Sequence, residues 1–290
     1  MHETHLGTAA FVRRRWPSMQ GYLLVGSLLA PFAVVYALGY VYPLTSALKT
    51  SFDGETFGAE YQQIGELPAF WFVLRHTFVI AGTTALICLV VAYFVAEFIA
   101  SASPRWQPVL LALVIVPLWS SAVARTYGWI GFFEGNGLVD RAAQALGLGP
   151  PSLLFTRTAV IVGMVHVMLP FMILPAFAAI QRYDKRLSQA SLSLGAGDLR
   201  TFYRVKLPML APQLCAAGAA VFIISLGFYI TPAILGGARS TMVSNLIAQQ
   251  VFDRFDLPAA YAMSGVLLAC VLASLLLFGG LAQIGRRRVR

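Results

Sequence analysis

Residues Gln181–Pro212 read QRYDKRLSQASLSLGAGDLRTFYRVKLPMLAP. The interval lies between two strongly apolar blocks and is dense in basic charge. Arg182, Lys185, Arg186, Arg200, Arg204 and Lys206 stand against Asp184 and Asp198. At its centre Leu187–Leu194 predicts a short amphipathic helix, with Leu187, Ala190, Ser191 and Leu194 at three- and four-residue spacing on one side. Gly195 is placed to end that helix, because a residue without Cβ enters the left-handed region freely. Pro208 and Pro212 restart a helical block, where a first-turn proline loses no needed N–H. A loop held by anionic headgroups needs charge alone, not a helix, a glycine stop and two prolines in one stretch. The interval therefore predicts a folded elbow that a partner grips.

The blocks on either side set the class. The chain has 290 residues, 58% apolar and 11% charged, where a soluble domain carries roughly 25% charged residues. Several apolar runs near twenty residues long predict a polytopic, all-α membrane protein. The net charge of +9 is not a nucleic-acid signal, since the basic residues cluster between and beside apolar blocks, as orientation signals do. The partner this implies is a lipid bilayer. Cys88, Cys215 and Cys270 each fall inside an apolar block without a CxxC pair and read as small buried hydrophobes. His2, His5, His76 and His166 are scattered, so no metal-ligand spacing appears and no metal site is expected.

Six helices are expected, the first over residues 21–47 after a polar segment, 1–20, that holds Arg13, Arg14 and Arg15. Its length exceeds the ~7–15-residue core of a cleaved signal peptide, so it reads as a retained span that Pro31 and Pro43 kink or end. A polar outer loop, 48–72, leads to a five-helix core over 73–285. The second helix is expected at 74–100, the third at 107–129 with Pro117 inside, and the fourth at 158–180 with Pro170 and Pro175 inside. Between the third and fourth, a glycine-rich loop over 130–157 carries a short helix at 138–146. The fifth is expected at 210–235 and the sixth at 259–284, with loops at 181–209 and 236–258 and a basic tail at 286–290.

Charge then orients the spans. The N-terminal segment, the 101–106 turn, the 181–209 elbow and the C-terminal end together hold 14 of the 21 Lys and Arg, while the opposite side holds 8 of the 12 acids. Both termini and the elbow are thereby expected in the cytoplasm. Trp71, Trp119, Trp129, Phe132 and Phe133 gather toward the other side, as an interfacial belt does.

Gln189-Ala190-Ser191-Leu192-Ser193-Leu194-Gly195-Ala196, followed by Phe202, Arg204-Val205 and Leu207-Pro208, resembles the EAA cytoplasmic loop of ATP-binding-cassette importer permeases. The spacing Glu-Ala-Ala, three residues, Gly, then some dozen residues to Leu-Pro is kept throughout. Gln189 replaces the acid and Ser191 the second alanine. The stretch Pro117–Trp129 is similar to the third-helix signature of spermidine/putrescine-type permeases, as are Met168–Pro175 and Ser225–Gly237. The resemblance spans roughly residues 70–285.

The resemblance implies a type I importer permease fold and a membrane subunit without catalysis of its own. It implies a second, homologous permease, two ATPase subunits that hold ATP and magnesium, and a periplasmic substrate-binding protein, all at a bacterial inner membrane. The chain itself has no GxxxxGK[ST] phosphate loop, and no cofactor is expected on it. Leu187, Gln189, Ala190, Ser191, Leu194, Gly195, Ala196, Leu207 and Pro208 then form the ATPase-coupling set. A rigid finger of this kind lets closure of the ATPases move the spans as levers. Ser120, Ser121, Thr126, Tyr127, Ser225, Tyr229 and Thr231, near helix breaks, are the candidate pathway lining. Polyamine is the leading solute, while relatives on the same frame carry opines, iron and other small solutes.

Other intramembrane polar residues stay open at this level. Glu97 reads equally as a functional acid or as one snorkelling to the interface. Arg125 reads as an interfacial anchor or a pore-lining group, and His166 as a hydrogen-bonded core residue ahead of a proton relay. An autonomous secondary transporter predicts inverted repeats and mid-membrane acids, and no repeat is visible. A membrane enzyme predicts clustered His, Asp or Glu, and none is visible either.

Overall fold

The computed structural model describes residues 19–52, 58–148, 152–237 and 240–288. Arg13, Arg14, Arg15 and Arg290 lie outside the described residues. The chain divides into two units, 1–50 and 51–290.

In the first unit α1 (Met19–Tyr36) carries Pro31 inside it, and α2 (Tyr42–Thr50) continues the same run. Between them Ala37–Val41 forms a wide turn in which the Tyr42 N–H bonds the Ala37 carbonyl, five residues back. Pro43 accounts for the width. Its ring clashes with a carbonyl four residues earlier in regular α geometry and relaxes when the turn opens. The stretch Ser27–Thr50 is long and apolar enough to cross a membrane, and Leu28, Phe32 and Leu38 are exposed along it.

The second unit opens with α3 (Ala59–Glu66) and α4 (Pro68–Ser101). Then come α5 (Gln107–Ile115), α6 (Ala122–Phe133), α7 (Leu138–Ala145) and α8 (Arg157–Arg182). The elbow holds α9 (Lys185–Ser193) and α10 (Asp198–Thr201), and α11 (Leu207–Leu226) follows. Last are α12 (Ile230–Leu235), α13 (Val243–Phe252) and α14 (Leu257–Arg288). Among the described residues, five helical stretches are long and apolar enough to cross a membrane, and one bent pair makes six when counted as a single span.

The core is the trio α4, α8 and α11, with α4 against α8 the most extensive pairing. Small residues make it possible. Ala85, Cys88, Ala92 and Ala96 recur along one face of α4 and meet Met168, Met172, Ala176 and Ala179 of α8. Lipid offers no hydrophobic gain over a neighbouring helix, so close backbone approach and hydrogen bonds supply the packing. Cys88 is buried, as expected, and donates to the Val165 carbonyl at 3.7 Å. Cys215 departs from expectation and is exposed. It falls on α11 two residues before the buried Ala217, off the stripe that meets α4 and α8.

Four expectations are corrected. The third helix is not continuous. Gln107–Trp119 and Ala122–Ala145 meet at 97°, because Pro117 sits in a tight turn at Val116–Trp119 and Ser120 then goes extended. The fifth does not start at residue 210. It runs unbroken from Asp198 through a second wide turn, Phe202–Lys206, to Leu226, and its expected end is the separate α12. The loops over 48–72 and 236–258 each hold a helix, α3 and α13. By contrast α8 runs straight through Pro170 and Pro175, since a span packed on both sides tolerates the lost bonds.

On the far side of the two breaks, α6 packs on α12. Thr126 Oγ1 lies 3.3 Å from Thr231 Oγ1, with both residues buried. Gly163 on α8 makes room beside them, because a Cβ there would stand 2.7 Å from Thr231 Cγ2 and 2.8 Å from Leu235 Cδ1.

Candidate functional site

The elbow is a capped finger. Asp184 precedes α9, and its carboxylate accepts from the Arg186 N–H at 2.9 Å, satisfying a donor the helix start leaves open. At the other end Gly195 takes φ 83°. The Gly195 N–H bonds the Leu192 carbonyl at 2.9 Å and the Ala196 N–H the Ser191 carbonyl at 3.2 Å, the paired closure of a left-handed helix stop. Gly195 therefore ends the helix as the spacing predicts. No side chain crowds it, and the backbone angle alone selects glycine there.

Two hydroxyl contacts fasten the finger at its root. Tyr183 Oη and Ser188 Oγ lie 2.7 Å apart, and Ser191 Oγ and Thr201 Oγ1 3.0 Å apart. Thr201 is buried, while α9 has no buried residue. Of the coupling set, Leu187, Gln189, Ala190, Leu194, Gly195 and Pro208 are exposed, and Ser191, Ala196 and Leu207 are half-buried. Leu194 is 89% exposed, and Leu192, Leu199 and Tyr203 are exposed as well. A short helix with leucines outward and polar ties inward presents a face to another molecule.

Behind the finger the chain returns through the wide turn Phe202–Lys206. Here too the turn precedes a proline by the same spacing: the Leu207 N–H bonds the Phe202 carbonyl, five residues back, and Pro208 follows. Lys206 Nζ meets Glu97 Oε1 of α4 at 2.6 Å. Tyr93 Oη donates to Glu97 Oε2 at 3.5 Å, and the Tyr93 ring meets Phe202 edge-on at 5.8 Å. Glu97 thus has a specific partner and is not a free snorkelling acid. At the end of α8, Gln181 Nε2 donates to Gln107 Oε1 at 3.0 Å, and Gln107 Nε2 donates to the Ala102 carbonyl, also at 3.0 Å. That ties α8 to the 101–106 turn.

The expected pathway residues differ in burial. Thr126, Ser225 and Thr231 are buried, the two threonines against each other, while Ser120, Ser121, Tyr127 and Tyr229 are exposed. Tyr229 lines a cavity of about 300 Å³ between α12 and α13, with Thr241, Asn245, Gln249 and Asp253. At the Gly227–Tyr229 break α13 supplies donors: Ser244 Oγ donates to Phe228 O at 2.7 Å, and Asn245 Nδ2 donates at 3.2 Å to Tyr229 O, which also accepts the Ala233 N–H at 3.0 Å.

Arg125 has its hydrogen-bond partners within its own span. Its guanidinium turns back to the carbonyls of Pro117 and Ser120 and to Ser120 Oγ, closing the C-terminal end of the first half of the broken third span. A cation is favoured at that end of a helix. His166 Nδ1 accepts from Trp129 Nε1 at 3.1 Å, which places the proton of the neutral ring on Nε2. Trp129 stacks on the buried Phe133 at 5.2 Å and packs against the cluster that holds it.

Sequence reasoning missed Asp184 as a cap, though an acid directly before a periodic run is its signature. It also missed Thr201 and Lys206. Lys206 carried one signal, a cation at the margin of an apolar block in need of a counter-charge.

No family model matches the chain. The spermidine/putrescine transport system permease protein PotB of Escherichia coli (strain K12) is 34% identical over 212 residues, covering 72% of this chain and 77% of that protein. PotB of Haemophilus influenzae is 33% identical over 213 residues, covering 73% and 74%. Among solved structures, a permease chain of the bacterial alginate ABC transporter in complex with an alginate-bound periplasmic protein superposes with a TM-score of 0.72 at 18% identity. That match covers 93% of this chain and 96% of the other, and carries the fold alone.

Proposed function

This chain belongs to the family of ATP-binding-cassette importer permeases that includes the PotB proteins, and from that premise we propose that it forms, with a second homologous permease, the membrane pathway of a polyamine importer. The exposed, doubly capped α9 finger is the observation that carries the reading. In this proposal the finger docks in a groove of one of two ATPase subunits that hold ATP and magnesium, and a periplasmic binding protein delivers the solute. The complex sits in a bacterial inner membrane with the elbow and both termini cytoplasmic.

The coupling set keeps its nine residues. Leu187, Gln189, Ala190 and Leu194 make the contact face, Gly195 and Ala196 form the stop, Ser191 braces the finger, and Leu207-Pro208 set the return helix. For the pathway, the candidate groups are the exposed Ser120, Ser121, Tyr127 and Tyr229 and the buried Thr126, Ser225 and Thr231. A polyamine presents ammonium groups joined by methylenes, which call for N–H acceptors and aromatic faces. The cavity at Tyr229 supplies both, with the amides of Asn245 and Gln249 and the carboxylate of Asp253 beside the ring.

Uptake of radiolabelled putrescine or spermidine by the four-component complex in liposomes tests the proposal. Transport of either supports it. Transport of an opine or a ferric chelate and of neither amine overturns the polyamine assignment and leaves the permease role standing. Tyr229→Ala is expected to lower uptake without changing which solute is chosen, because the binding protein sets the choice.

A further inference from the structure

Glu97 and Lys206 form the one ion pair found among the described residues. Glu97 stands near the end of α4, and Lys206 is the last residue of the wide turn that follows the finger. Pro208 sets where Lys206 points. With its ring in place, the turn closes five residues back instead of four, and the extra residue rotates the preceding segment by about 100° relative to α spacing. Thr201 lies directly before the turn and holds Ser191 of the finger. A run of specific contacts therefore leads from Ser191 through Thr201 and the turn to Lys206, then to Glu97. From there it enters α4, which packs most extensively on α8.

We infer that the Glu97–Lys206 pair is the positioning link that carries displacement of the α9 finger into α4, an inference that rests on α9 being the ATPase contact. The chain that enters the finger leads from α8, and the chain that leaves it leads into α11. The ion pair with its Tyr93 brace is the polar bond that joins the finger's return segment to α4. Separating the two charges takes the counter-charge from Lys206 and leaves Glu97 only the Tyr93 hydroxyl, so the pair resists displacement in either direction. Glu97 and Lys206 contact no solute in this arrangement. They position α4 against the finger.

The test is solute transported per ATP hydrolysed, measured on the complete complex in liposomes. Lys206→Met is expected to lower that ratio roughly tenfold, the size of one lost charge-assisted hydrogen bond, while the ATPases still copurify and hydrolyse ATP. Lys206→Arg keeps the charge and is expected to hold at least half of the wild-type ratio. Glu97→Gln combined with Lys206→Met falls no further than either change alone, as two ends of one link must. A wild-type ratio in Lys206→Met overturns the inference, because a merely structural pair lowers yield and hydrolysis together and leaves the ratio intact. Equal loss in the Arg and Met variants, or additive loss in the double variant, also overturns it. Loss of ATPase copurification in Lys206→Met overturns it too, by moving Lys206 into docking. Failure of the underlying reading shows differently, as a wild-type permease that retains no ATPase.

Discussion

The guanidinium of Arg125 folds back along its own span to donate to the carbonyl of Pro117, eight residues earlier. The same group reaches Ser120, so one side chain closes the end of the half-span that Pro117 and the extended Ser120 cut short. Arg125→Met removes those donors from the Ser120 carbonyl and hydroxyl, while the Pro117 carbonyl keeps only the Ser120 N–H at 3.2 Å and hydroxyl at 2.7 Å. Thermal unfolding of the purified complex should report a loss of about 1.5–3 kcal/mol, the range for hydrogen bonds to a charged group. Arg125→Lys keeps a cation but not the planar fork, and is expected to recover less than half of it.

Gly195 separates conformation from charge. Its φ of 83° costs a Cβ-bearing residue roughly 1–2 kcal/mol, and asparagine less than valine. Gly195→Asn is therefore expected to keep most uptake, and Gly195→Val to lose most of it with the spans still inserted. Gly195→Asp tolerates the angle but sets a negative charge at the C-terminal end of α9, where the helix dipole disfavours it. Uptake and ATPase copurification should fall together in that variant. Gln189 is exposed, so Gln189→Glu is expected to be tolerated on both measures.

Gly163 is selected by space. A valine there drives branched methyls toward Thr231 and Leu235, whose side chains would already stand 2.7 and 2.8 Å from its Cβ, inside contact distance. The expected cost is about 1–3 kcal/mol for overpacking. It is read as a lower melting temperature for Gly163→Val than for Gly163→Ala. Equal melting temperatures would remove the close α8–α12 approach as the reason for glycine.

Orientation is open to chemical labelling. Leu146 is exposed after α7, and Ser188 lies on the finger at the other end of α8. In a background without native cysteines, a cysteine at 146 should react with an impermeant maleimide from outside the cell and one at 188 should not. The reverse pattern would invert the orientation and remove the elbow from the ATPase side.

The spans were legible because length and apolarity decide them, and the finger because Gly195 and its helical spacing are local signals. The break in the third span was not. Pro117 breaks its helix where Pro170 and Pro175 do not, and the difference lies in what surrounds each proline: Arg125 takes the freed carbonyls in one case, and packing on α4 supports the helix in the other. Placing α13 failed for a related reason. Its sequence mixes Ser244, Asn245 and Gln250 into an apolar run, and Ser244 and Asn245 turn out to bond the carbonyls of Phe228 and Tyr229, sixteen positions earlier. The role of Glu97 was hidden by distance, since its partner lies 109 positions along the chain. Thr126 and Thr231, read as pathway hydroxyls, face each other for the same reason, 105 positions apart.

That threonine pair has a further consequence. Both α6 and α12 are cut from the spans that precede them, one by the extended Ser120, the other at Gly227–Tyr229, yet each is packed on the other. Their opening to solvent is thereby shared more with one another than with their own chain neighbours. Amide hydrogens in 123–133 and 231–235 should exchange as one cooperative unit, at a common rate distinct from those of α5 and α11.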